Sequence, residues 1–189
     1  AVVGLELVMA EGDLVALTRE RDGDELAGAV VSLGALGVVA RMTLAIEPTF
    51  EVRQLVYERL PAAQLESHFD AIMGAAYSVS FFSDWNEREV SEVWLKQRAD
   101  APAALDLAAL GATPSPTHRH PIIGLSPENC TPQMGESGPW HERLPHFQLE
   151  FTPSAGAELQ TEYLVPRQHA LAALRAVGEL RDQIAPLLL

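Results

Sequence analysis

The sequence predicts an α+β protein, most of it a split βαβ (ferredoxin-like) arrangement in which an antiparallel sheet carries its helices on one side. Three observations predict this. From Glu51 onward the apolar pattern alternates, changes to helical spacing, returns twice to alternation and ends in a long helical face. Prolines at 48, 61 and 166 punctuate those changes of period. With 189 residues and 48% hydrophobic content, the chain is long and apolar enough to bury a core.

The first element is a hairpin. Leu5, Leu7 and Met9 alternate with Glu6, Val8 and Ala10, Glu11-Gly12-Asp13 supplies the turn, and Leu14 to Thr18 returns. A polar link from Arg19 to Asp24 follows, and Asp22 or Asp24 can cap a helix over Glu25 to Ser32 that exits near Gly34. Val38 to Glu47 reads as a strand ended by Pro48, so residues 1–49 form one domain and 50–189 a second.

In the second domain Glu51 to Arg59 reads as a strand. Pro61 opens a helix, where its missing N–H costs little, and Leu65, Phe69, Ile72 and Met73 repeat at helical spacing. Tyr77 to Phe82 and Val90 to Lys96 are the next strands, joined by the turn Ser83 to Arg88. Asp100 to Pro145 is rich in Pro and Gly and predicts a long irregular excursion. Phe147 to Phe151 and Glu158 to Val165 read as strands. Pro166 opens a last helix with Leu171, Leu174, Val177, Leu180 and Ile184 on one face. The chain begins inside an apolar run without Met and closes on Leu187-Leu188-Leu189, the pattern expected of a piece of a longer protein.

Composition narrows the function. A net charge of -13, with Lys96 the single lysine, argues against a nucleic-acid partner and against an anionic membrane surface. Cys130 stands alone, which excludes an intrachain disulfide and suits a reducing, cytoplasmic setting. No apolar run reaches the roughly 18 residues of a membrane-spanning helix.

Most motif-like stretches dissolve on inspection. His141-Glu142-Arg143-Leu144-Pro145-His146 spaces its histidines at i and i+5 and contains a helix breaker, unlike the i, i+4 zinc-protease motif. His118 and His120 could join His141 and His146 at a metal, but no carboxylate or cysteine spacing accompanies them, and loop histidines bonded to backbone are the favoured reading; no metal is expected. Gly135-Glu136-Ser137-Gly138-Pro139 reads as a turn and not a nucleophile elbow. Asp84, Glu87, Arg88, Glu89 and Glu92 read as a solvated charge cluster. Trp85, Trp94 and Trp140 with Phe81, Phe82, Phe147 and Phe151 could line a cavity or fill the core, and Trp140 is the candidate plug over the sheet.

One stretch asks for more: Ser32-Leu33-Gly34-Ala35-Leu36-Gly37-Val38-Val39. It lacks one glycine of the dinucleotide fingerprint and places helix before strand. The acidic charge rules out a GxxG clamp on RNA. Its glycines permit positive φ at a helix exit and close approach of backbone to another group, and a helix C-cap explains them about as well.

This stretch, with the hairpin and acidic patch before it and Arg41-Met42-Thr43-Leu44-Ala45-Ile46-Glu47-Pro48 after it, resembles the end of the FAD-binding domain in the vanillyl-alcohol oxidase superfamily. Phe50 to Gln54, Tyr77 to Ser80, Ser83-Asp84-Trp85, Gly138 to Phe147 and Glu162 to Arg167 resemble the bacterial alditol, or xylitol, oxidases. The Gly138 to Phe147 run is the most specific of these. The resemblance implies that residues 1–49 close an FAD-binding domain and that 50–189 form a truncated substrate-binding cap. It implies an FAD-binding stretch at Gly34, Gly37, Val38 and Val39, in which the two glycines allow the backbone to approach the cofactor and Val38 and Val39 supply the main-chain contacts. It implies a polyol substrate, with O2 reduced to H2O2. The flavin-attachment histidine and the pyrophosphate segment would precede Ala1, and the substrate Glu–Arg pair, Thr and Lys would follow Leu189. No residue here therefore inherits a catalytic role, and the chain alone is expected to be inactive and not to retain FAD. A sugar-1,4-lactone oxidase of the same superfamily and a non-enzymatic α+β ligand-binding domain are the alternatives.

Overall fold

The computed structural model describes residues 1–85, 88–102, 105–151 and 160–187. The chain divides into two compact units, Ala1–Pro48 and Thr49–Leu189.

The first unit is a three-stranded antiparallel sheet, ordered β2-β1-β3, with one helix. β1 (Val2–Val8) and β2 (Leu14–Thr18) form the expected hairpin, with Leu5 opposite Leu17 and Val8 opposite Leu14. Gly12, at φ +90°, takes the turn position that a side chain would strain. α1 (Arg19–Val30) begins six residues earlier than the apolar pattern indicates. The cause is Thr18: its hydroxyl accepts the Arg21 amide at 3.4 Å, and Asp22 in turn accepts the Thr18 amide at 2.8 Å. This reciprocal cap draws the polar link into the helix, which kinks at Asp22, so Asp22 closes the cap from inside and is not itself the cap residue. Leu26 and Ala29 of α1 pack on Leu5 and Leu7 of β1, and these four make the small core. β3 (Val38–Leu44) pairs only with β1 among the described residues and is exposed along its whole length.

In the second unit β4 (Glu51–Pro61), α2 (Ala62–Met73), β5 (Ser78–Phe82) and β6 (Glu89–Arg98) make the split βαβ. β6 lies between β4 and β5 and runs antiparallel to both. Leu65, Phe69 and Ile72 of α2 close on Leu60, Val93, Leu95 and Leu107. Burying a side chain of this size is worth about 1.5–3 kcal/mol, so this cluster dominates the unit's stability. α4 (Arg167–Gly178) adds Ala170, Leu171 and Leu174 to the same side. Val177 and Leu180 are exposed, so the last helix buries only part of its predicted face.

The excursion after β6 is not structureless. It contributes β7 (Thr113–Pro114), β8 (Ser137–Pro139) and the short helix α3 (Trp140–Arg143). β7 and β8 both pair with β4, along the edge where a ferredoxin-like fold places its fourth strand. One expected strand, Phe147 to Phe151, does not form. Phe147 makes a single bridge to Cys130. In that register residues 148–150 face the 3-10 turn Pro127–Asn129, which offers no extended partner, so no ladder runs along Phe147 to Phe151. The strand placed at Glu158 to Val165 begins outside the described residues, and 160–165 has no regular structure.

The sheet's second face is covered by the excursion. Val56, Trp94 and Cys130 cluster there with Phe82 and Phe147. Trp94 is the aromatic plug. Trp140, 42% exposed, stacks on Phe50 at the surface instead, which corrects the expectation for it.

Candidate functional site

Each unit presents one candidate region. In the first unit the Ala35 amide donates to the Ser32 carbonyl at 2.9 Å across Leu33 (φ +53°) and Gly34 (φ +82°). Two central residues at positive φ mark a turn of type I′ character, so Gly34 belongs to a tight turn. α1 has already ended, capped by Val31. A Cβ on Gly34 would meet nothing within 4 Å. Gly37 is different: at φ +151° its Cβ would lie 2.3 Å from the Val8 carbonyl oxygen. The close backbone approach read from the sequence therefore occurs, but toward β1. Val38 and Val39 sit opposite Val8 and Leu7 and are 71% and 46% exposed. Gly34, Val38 and Val39 thus form an open strip beside a strand edge that has no partner among the described residues, while Gly37 is closed by its own fold.

The second unit carries a groove of about 2650 Å3, lined from both faces of its sheet. Leu65, Leu171 and Leu174 line it from the helical side, Phe81 and Phe82 from β5, and His141, Glu142, Arg143 and Pro145 to Phe147 from the excursion. Binding pockets for small molecules measure roughly 300–1,000 Å3, so this is an open channel and not a finished pocket for one small ligand.

The walls beside it hold buried polar groups that the hydrophobic pattern hides. Lys96 is fully buried, and its Nζ donates to the carbonyl oxygens of Arg143, Leu144 and Pro145 at 2.8, 2.8 and 2.6 Å. Burial lowers its pKa to about 7. His146 lies in hydrogen-bonding contact with the Ser80 hydroxyl at 3.1 Å. Burial, with the Lys96 charge adding to it, lowers His146 to about 4. Glu92, read as part of a solvated cluster, is buried: it accepts the Trp94 indole N–H at 2.7 Å, and desolvation holds its carboxyl above the usual range. It sits across the strand pair from Glu58, which Arg119 neutralises at 2.6 Å. Glu87 of the same predicted cluster lies outside the described residues.

The loop histidines do separate jobs. His120 accepts the Ile122 amide at 3.0 Å and packs on Phe147, while His141 packs edge-on against Trp140. Among the described residues no three His, Cys, Asp or Glu side chains gather as a metal site would need. None of the described helices is long and apolar enough to cross a membrane.

No protein-family model matches the chain. Against curated proteins it is 51% identical over 186 residues, 97% of its own length, to an alditol oxidase from a Streptomyces species. The chain is homologous to part of an alditol oxidase. It spans 43% of the length of that relative, so the greater part of the relative has no counterpart here.

Proposed function

We propose that this chain is a portion of an FAD-dependent alditol oxidase, an enzyme oxidising the terminal alcohol of an open-chain polyol such as xylitol or sorbitol to an aldose. The observation that carries the reading is the 51% identity to an alditol oxidase sustained along nearly the whole chain. Fold alone would not support it, because a split βαβ sheet serves many unrelated functions.

On this reading residues 1–49 close an FAD-binding domain and 50–189 are the substrate-side cap. Gly34, Val38 and Val39 would hold FAD through main chain and exposed surface, since their environment is open. Gly37 would act indirectly, by keeping β3 tight against β1. Bound FAD supplies two-electron oxidation of the alcohol, with O2 as final acceptor and H2O2 as product. The chain's own groove would orient the polyol and exclude water, its aromatic wall packing on carbon and its polar groups bonding hydroxyls. The groups that move the hydroxyl proton are assigned to the remainder of the protein. The partners are a polyol and O2, in the cytoplasm.

The test is the visible spectrum of the full-length gene product. Flavin bands that bleach with xylitol under anaerobic conditions and return with air are expected, and a colourless protein would overturn the assignment. The 189-residue chain alone is expected to be colourless and inactive. Stoichiometric flavin on it would contradict the division of labour.

A further inference from the structure

We propose that Lys96 is the positioning residue of the groove: its ammonium serves as a built-in monovalent cation that shapes the Trp140–Pro145 wall. The inference concerns that wall and does not depend on the flavin reading.

The wall is poor in the means by which loops usually pack. Trp140, His141, Glu142 and Pro145 are exposed, and Arg143 is its one buried side chain. It also contains α3, a single helical turn whose last carbonyls have no partners within the helix. Three consecutive carbonyls, those of Arg143, Leu144 and Pro145, converge instead on one Nζ within 2.8 Å. An ammonium group has three N–H donors and no acceptor, so donors and acceptors match one to one. The Trp94 ring, 5.9 Å from Nζ, adds a favourable aromatic face.

A neighbour shows that this match is complete. Gln54 sits directly across the strand pair from Lys96, is fully buried, and has neither amide atom hydrogen-bonded among the described residues. A buried amide oxygen beside a cation with a free N–H would capture it. All three N–H groups of Lys96 go to the wall, which leaves none for Gln54. Secondary ties, the Thr131 hydroxyl to the Pro145 carbonyl at 2.7 Å and the Thr131 amide to the His146 carbonyl at 3.0 Å, continue the attachment toward Phe147. Four residues of this wall, His141, Glu142, Arg143 and Pro145, line the groove, so the cation sets where they stand.

The test, run below pH 7 so that Lys96 carries its third proton, uses the full chain, Lys96→Ala, and n-propylammonium, which restores the atoms the substitution removes. Amide hydrogen exchange is followed on peptides covering residues 140–147 and on peptides from α2. In the variant, exchange over 140–147 is expected to rise about tenfold or more with α2 unchanged, and propylammonium is expected to restore protection where 1-propanol does not. If the variant loses protection everywhere, propylammonium must recover both regions, and failure to do so overturns the proposal. Unchanged exchange over 140–147 overturns it as well. Equal rescue by 1-propanol would also refute it, because filled volume and not charge would then hold the wall.

Discussion

The two faces of the β4–β6 sheet are closed by opposite means. On one face α2 and α4 bring Leu65, Phe69, Ile72 and Leu171 onto Leu60, Val93 and Leu95, and contact is apolar throughout. On the other an irregular excursion is held by Lys96 on carbonyls, Arg119 on Glu58 and His146 on Ser80, with Thr131 on Pro145 inside it. Burial energy is non-directional and forgiving of exact placement, whereas a hydrogen bond to a carbonyl fixes an atom. The first face therefore supplies stability and the second supplies shape, and the groove takes its polar wall from the second.

Four measurements can break or sharpen that contrast. Phe69→Ala, on the apolar face, is expected to have the largest effect, about 3–5 kcal/mol lost in urea unfolding. A loss below that of any polar-face substitution would reverse the comparison. Next comes acid. Because His146 is lowered to about 4 from an ordinary 6.5, between those pH values the unfolded chain binds a proton that the folded chain does not. Stability should accordingly fall as pH drops from about 6.5 and level off near 4. His146→Asn should flatten that dependence in urea midpoints taken across the range, and an equally steep profile would assign it to other groups. Thr131→Val removes one donor to a carbonyl that Lys96 still serves, and about 1 kcal/mol is expected from denaturation curves. Smallest of all is Arg175→Ala on α4, which breaks a half-exposed ion pair to Glu66 at 3.0 Å. Less than about 0.5 kcal/mol should be lost, and a larger value would mean that α4 is held by charge.

The same contrast explains what was legible in the sequence. The hairpin, α2 and the three long strands announce themselves because one face of each is apolar at the proper period, and Leu65, Phe69 and Ile72 are buried as the spacing requires. The polar face has no period. Nothing in Val93-Trp94-Leu95-Lys96 says that the lysine points inward, since a lone lysine in a strand is ordinarily solvated. The available clue was composition: a single lysine in an otherwise lysine-free chain. The strand expected at Phe147 to Phe151 failed because the pattern is read along one segment, whereas the obstruction, the 3-10 turn Pro127–Asn129, lies in the segment opposite. The early start of α1 was missed for a similar reason, since capping by Thr18 and Asp22 depends on hydrogen bonds and not on apolar spacing.

Gly37 carries a lesson about descent. Any other L-residue there would drive its Cβ into the Val8 carbonyl, at 2.3 Å, so the position is closed by the neighbouring strand whether or not a ligand is present. A lineage that gave up its nucleotide would keep this glycine and, for its positive φ, Gly34, while Val38 and Val39, whose side chains are largely exposed, would be free to drift. Among relatives that diverge in activity, loss of cofactor would be recorded at 38 and 39, with positions 34 and 37 silent on the matter.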